Sequence, residues 1–268
     1  MTITLAVANQ KGGVAKTTSV ASLGAALAEL GQRVLLVDLD PQACLTFSLG
    51  IDPEDVEVSV HQVLTKGVDP AEVILETEDG VDLLPATIEL ARAEADLLTR
   101  TGREHVIKGS LEDLSEGEEA YDWILLDCPP SLGVLTVAAL TAADGVLIPL
   151  QCETLSHRGV GQLLDTVHDV RRFTNRRLEV WGVLPTLFDG RTNHSRTVLD
   201  TISETYDLDV VEPPIPKTIK FAEAPAAGRS ILATSRTSKG AQAYRKVAAN
   251  LLAKAAAATK PARASKRR

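Results

Sequence analysis

A chain of 268 residues that is 44% hydrophobic can bury one substantial core, and with 3% aromatic residues it lacks the material for a platform that stacks nucleic-acid bases. No window approaches the roughly 18 unbroken apolar residues of a membrane span, and no charged segment precedes the first apolar run, so a cytoplasmic protein without a signal peptide is expected. The net charge of −8 is unevenly spread: from Pro213 onward 13 Lys plus Arg face a single acid, Glu223, which marks a basic patch on an acidic body.

Residues 3–9 mix β-branched and small apolar side chains and predict a buried strand, which gives way to Gly12 and Gly13. Val20, Leu23, Leu27 and Leu30 recur at helical spacing and predict a crossover helix over Thr17–Leu30, ended by Gly31. A glycine turn between a strand and a helix lets successive backbone N–H groups converge on an anion, and the helix start adds its positive end. The ordinary phosphate-loop pattern G-x-x-x-x-G-K-S/T fails here, because Gln10 and Ala15 stand where glycines belong. K-G-G-x-x-K-S/T fits instead, and makes Lys11, Gly12, Gly13, Val14, Ala15, Lys16, Thr17 and Thr18 the candidate nucleotide-binding loop. Lys16 is placed to grip the β and γ phosphates, where phosphoryl transfer concentrates negative charge. Lys11, at the head of the loop, points away from the helix start and can serve a nucleotide in a facing subunit, which predicts a homodimer with nucleotide in its interface. Ala15 costs little if its φ is negative and roughly 1 kcal/mol or more if φ is positive.

The run 33–38 predicts the next parallel strand, with Asp38 and Asp40 at its carboxyl end beside the phosphate loop. One such aspartate can orient an attacking water while the other accepts from a water of a Mg²⁺ shell. Residues 50–80 read as acidic and irregular around a short helix at HQVLTKG. Helices are expected near 87–100 and 103–115, the first with Ile88, Ala91, Ala95 and Leu98 inward. The stretch 122–131 predicts a buried strand ending at Asp127, a second acceptor for the Mg²⁺ shell, while Thr17 and the phosphates hold the metal directly. Further strands near 81–84, 145–150 and 180–184 complete an α/β fold: a doubly wound, mostly parallel sheet with helices on both faces. The helix after residue 150 offers Val160, Leu163, Leu164, Val167 and Val170 for packing, whereas His157 and His168 have no partner at ligand spacing. Cys44, Cys128 and Cys152 show no C-x-x-C spacing and are read as free thiols without a metal.

KGGVAKTT, VLLVDLDPQ at 34–42 and LLDCPPS at 125–131, in that order, resemble the ParA/Soj group of deviant Walker A (P-loop) ATPases, relatives of MinD, over residues 3 to about 252. The resemblance implies an ATP-dependent switch with Mg²⁺, one ATPase domain over 1–252 and a basic, flexible tail over 253–268. It assigns hydrolysis to Asp40, with Lys11 and Lys16 as the catalytic cations, and the adenine pocket to Pro216 and Thr218. It brings Arg191, Lys217, Lys220 and Arg229 near one another. With Arg236, Lys246 and Lys254 these form a candidate face for non-specific double-stranded DNA, since no reading helix is evident and contact would be to phosphates. The implied partner is a ParB-like centromere-binding protein or another cargo adaptor, and the implied location is the nucleoid. A MinD-like membrane switch is the alternative, but the alanine-rich tail lacks the bulky apolar face that lipid requires. An ATP-dependent amide-forming enzyme on the same scaffold would need a polar substrate pocket that no motif marks.

Overall fold

The computed structural model describes residues 2–117, 120–153, 156–190 and 193–258. Seven strands, β1 (Ile3–Val7), β2 (Val34–Asp38), β3 (Leu75–Glu76), β4 (Asp82–Leu84), β5 (Trp123–Asp127), β6 (Gly145–Gln151) and β7 (Glu179–Thr186), form one sheet in the order β3-β4-β2-β5-β1-β6-β7. Every pairing is parallel except that of β3 with β4 at the edge. The helices are α1 (Lys16–Glu29), α2 (Cys44–Ser48), α3 (Val60–Lys66), α4 (Leu90–Leu98), α5 (Val106–Leu111) and α6 (Val134–Ala142). They continue with α7 (Ser156–Phe173), α8 (Asn193–Tyr206), α9 (Lys220–Ala226), α10 (Ile231–Thr234) and α11 (Lys239–Ala258).

Strand side chains alternate between two cores, as the pleat requires. Ala6, Leu35, Val37, Ile124 and Leu126 face a layer built from α3 to α8. Leu5, Val7, Leu36, Trp123 and Leu125 face α1, α10 and α11. The expected doubly wound α/β architecture with helices on both faces is therefore the observed one. Each fully buried Leu contributes about 1.5–3 kcal/mol of transfer free energy, and Leu5, Leu35, Leu36, Leu83 and Leu125 are all fully enclosed.

One packing expectation is reversed. Ile88, Ala91, Ala95 and Leu98 are exposed, and α4 turns Leu90, Ala93 and Leu97 inward instead. Both sets satisfy the i, i+3, i+7 rule, and Ile88 precedes the helix, so periodicity alone could not choose between them. The helix expected over 103–115 is broken into 3₁₀ turns at either end of α5. The domain end expected at residue 252 falls inside α11, which runs on to Ala258 with Ala255 buried against the second core. The remaining tail, 259–268, lies outside the described residues.

Candidate nucleotide-binding site

Parallel register brings the three motifs to one edge. Val7 pairs with Asp127 on one side, and Asp38 pairs with Asp127 on the other, so the carboxyl ends of β1, β5 and β2 are level. The loop between β1 and α1 hangs over them. Gly13 (φ 74°) and Ala15 (φ 62°) both lie in the left-handed region, so Ala15 takes the costlier of its two possible backbone conformations. Its carbonyl accepts from Ser19 N–H at 2.9 Å and starts α1. Two residues the motif did not single out hold the loop. Asn9 donates to Pro149 O at 2.7 Å while its Oδ1 accepts from Lys11 N–H at 3.0 Å, and Thr186 donates through Oγ1 to Val14 O at 2.9 Å. A Cβ on Gly159 would come within 3.3 Å of Asn9 Oδ1, so α7 packs tightly on the head of the loop.

Lys16 is buried and donates to Lys11 O at 3.3 Å. Burial pulls its ammonium below the usual lysine range, while Asp127 and Asp40 pull the other way. Asp38 and Asp127 are both fully buried. Burial pushes Asp38 up to about 6 against hydrogen bonds from Thr46 and Asp40. Asp127 is pushed well above the ordinary carboxylate range, first by burial and then by the neighbouring Asp38, with the Thr17 hydroxyl and Lys16 opposing. Neither Asp127 oxygen makes a well-formed hydrogen bond among the described residues. Two neighbouring buried acids, one of them beside Lys16 and with orphaned oxygens, have the chemistry of a site for a hydrated hard cation, and the nearby Thr17 hydroxyl could add an oxygen ligand. Among the described residues no group of three or more His, Cys, Asp or Glu is placed to hold a metal ion. Asp40 is half-buried; its Oδ1 accepts from Gln42 N–H at 3.0 Å, and its Oδ2 makes no hydrogen bond among the described residues.

Beside the loop lies a cleft of about 290 Å³ walled by Gly13, Ala15, Thr18, Leu187, Ile215, Thr218, Phe221 and Tyr244. Thr218 is thus brought to the phosphate loop. Pro216 instead bridges to Phe188 nearby and is not among the cleft walls. Phe221 and Tyr244 stack edge to face at 5.7 Å, and Tyr244 hydrogen-bonds Ser19 at 2.9 Å. These apolar walls come from α9 and α11 and carried no motif of their own. On the other flank, Lys11 lines a groove of about 410 Å³ with Asn9, Gln10, Arg158 and Gln162, and its ammonium pairs with Glu153.

The basic segment is only partly available. Lys217, Arg236 and Lys246 are exposed. Lys220 pairs with Glu223 at 2.7 Å. Arg229 is committed to Asp79 at 3.0 Å and to Glu78, and Lys254 donates to Trp181 O at 3.1 Å. Arg191 lies outside the described residues, as does the side chain of His157; His168 is exposed. Cys44 is exposed and Cys128 and Cys152 are buried, all three free, and burial raises each thiol, Cys152 to about 11.

A parallel α/β sheet with a glycine-bearing loop over the carboxyl ends of its central strands, a buried lysine and two buried aspartates defines a P-loop nucleotide-binding protein. Residues 2–180 match a family model described as an AAA domain. The sporulation initiation inhibitor protein Soj of Bacillus subtilis is 43% identical over 251 residues, covering 92% of this chain and 98% of that protein. The chromosome partitioning protein ParA of Caulobacter vibrioides is 39% identical over 251 residues, 93% of this chain and 94% of its own. A solved structure described as cobyrinic acid a,c-diamide synthase from Mycobacterium smegmatis, with bound ADP and magnesium, superposes with a TM-score of 0.86 at 55% identity, covering 97% of this chain and 98% of that one. The chain belongs to the ParA/Soj family of deviant P-loop ATPases.

Proposed function

We propose that the chain is a chromosome- or plasmid-partitioning ATPase that dimerises around ATP and Mg²⁺, binds double-stranded DNA non-specifically as the dimer, and releases it on hydrolysis. A ParB-like protein or another cargo adaptor stimulates that hydrolysis. The carrying observation is the K-G-G-x-x-K-T loop poised over two buried aspartates, with an apolar cleft alongside. ATP supplies the phosphoryl group and Mg²⁺ the charge that steadies it. Lys16 would leave Lys11 O for the phosphates, Thr17 would hold the metal, and Asp38 and Asp127 would accept from water bound to it. Asp40 orients and deprotonates the attacking water through its free Oδ2. The cleft walled by Thr218 and Phe221 receives adenine. Lys11 releases Glu153 to reach the nucleotide of the facing subunit. Lys217, Lys220, Arg236 and Lys246, with Arg191, meet DNA phosphates, while Arg229 and Lys254 brace the fold. Two copies then double the contacts, which makes dimerisation a DNA-affinity switch and places the active protein on the nucleoid.

The test is DNA binding with ATP, ADP or no nucleotide, across a salt series, on wild type and Lys11→Ala. Tight, salt-sensitive binding with ATP alone, lost in the variant, is expected; equal binding in all states defeats the switch.

The name carried by the Mycobacterium smegmatis structure favours a second reading, ATP-dependent amide formation. Releasing ammonia from an amide donor calls for an activated thiolate or an equivalent nucleophile, and all three thiols here are shifted toward the neutral form. No helix among the described residues is long and apolar enough to cross a membrane. Mass spectrometry after incubation with cobyrinic acid, glutamine and ATP separates the amide reading: an amidated product would establish it.

A further inference from the structure

Thr46 sits in α2 behind the acid pair and is fully buried. Its hydroxyl donates to Asp38 Oδ2 at 2.8 Å, and its backbone N–H donates to the same oxygen at 2.9 Å. Asp40 N–H donates to Oδ1 at 3.1 Å. A carboxylate offers about four acceptor positions, so Oδ2 is filled and the capacity left belongs to Oδ1. The Thr46 hydroxyl cannot turn away freely, because it also accepts from Ala86 N–H at 3.0 Å. That second bond ties the carboxylate to the segment following β4, far away in sequence.

We propose that Thr46 is a positioning residue for the ATPase site. Its hydroxyl and N–H fill Oδ2 of the Asp38 carboxylate and leave Oδ1 as the oxygen that would accept from water bound to Mg²⁺. The proposal rests on the role given to Asp38 under the proposed function. It competes with a plainer account, in which Asp38 merely caps the first turn of α2 and Thr46 only packs.

The experiment compares Thr46→Val and Thr46→Ser in the wild-type and Asp38→Asn backgrounds, each checked for folding by circular dichroism. One readout is the Mg²⁺ dependence of fluorescent ADP binding; the other is single-turnover ATP hydrolysis. T46V is expected to raise the Mg²⁺ concentration at half-saturation and to slow hydrolysis, each by about tenfold, as loss of an outer-shell partner does. Metal-free nucleotide affinity stays unchanged. T46S restores both quantities to near wild type, and T46V adds nothing once Asp38 is Asn. The proposal is overturned if folded T46V matches wild type, if T46S is as impaired as T46V, or if T46V adds its full loss on top of D38N. Should D38N itself bind Mg²⁺ and hydrolyse ATP normally, the role of Asp38 fails, and Thr46 falls with it. Thr46→Ala carries the same comparison if T46V does not fold.

Discussion

The phosphate loop and the basic C-terminal segment are both lysine-rich, yet Lys16 of the loop and the paired cations of the segment are held in opposite ways. In the loop, Lys16 is buried and donates to a carbonyl, with Asp127 and Asp40 acting on it without an ion pair among the described residues. In the segment from Pro213 onward, Arg229, Arg245 and Lys254 are already committed to acids and carbonyls from distant parts of the chain, while Lys217, Arg236 and Lys246 stand exposed. Functional charge is therefore not proportional to the count of basic residues. It depends on what each cation is already paired with, and Lys11 and Lys220, held by Glu153 and Glu223, would have to exchange a carboxylate for their ligand.

The widest gap between the two regions should appear on truncating Lys16. Lys16→Ala is expected to weaken fluorescent ATP binding by about 100-fold, the scale of two lost charge-assisted hydrogen bonds. Asp40→Ala should slow hydrolysis by about 100-fold or more while binding persists, because a general base acts only in the transition state. If Asp40→Ala loses binding instead, the division of labour between the aspartates is wrong.

Within the basic segment, exposed and committed cations should separate. Lys217→Ala or Lys246→Ala should lower the log–log salt slope of DNA binding by about 0.9 for each phosphate that is no longer neutralised, with unchanged thermal stability. Arg229→Ala should leave that slope alone and cost about 1–3 kcal/mol in urea unfolding, because the Asp79 carboxyl, 2% exposed, loses a charge-assisted partner. The reverse pattern would return Arg229 to the DNA face.

A smaller effect is expected at Ala15. Replacing it by Gly removes a Cβ from a left-handed backbone, and should raise stability by up to about 1 kcal/mol, or tighten nucleotide binding to a matching degree, read by thermal unfolding with and without ADP. The smallest concerns pH. The Arg245 hydrogen bond holds Glu29 below the usual glutamate range. A depressed carboxyl contributes stability above its unfolded pKa and loses it as pH falls through the folded one. The stability difference between wild type and Arg245→Ala should therefore be constant near neutrality and shrink under acid, below the ordinary glutamate range. A difference that grows under acid would contradict the pairing.

Much of this protein is legible from residue order alone. The parallel strands, the crossover helix, the Lys11–Thr18 loop and the acids Asp38, Asp40 and Asp127 follow from short-range rules: a strand ends, a glycine turns, a helix begins, and a carboxylate stands at the strand end. These rules act within a few residues, so sequence order carries them. Three further features depend on contacts between segments many residues apart. The inward face of α4 was set by which of two equal stripes met α3 and α6. The walls of the cleft beside the loop, Phe221 and Tyr244, and the loop supports Asn9 and Thr186, come from elements that only the folded sheet brings together. The neutralisation of Arg229 by Asp79 depends on a partner 150 residues away, and no local pattern can announce a neighbour supplied by the other end of the chain.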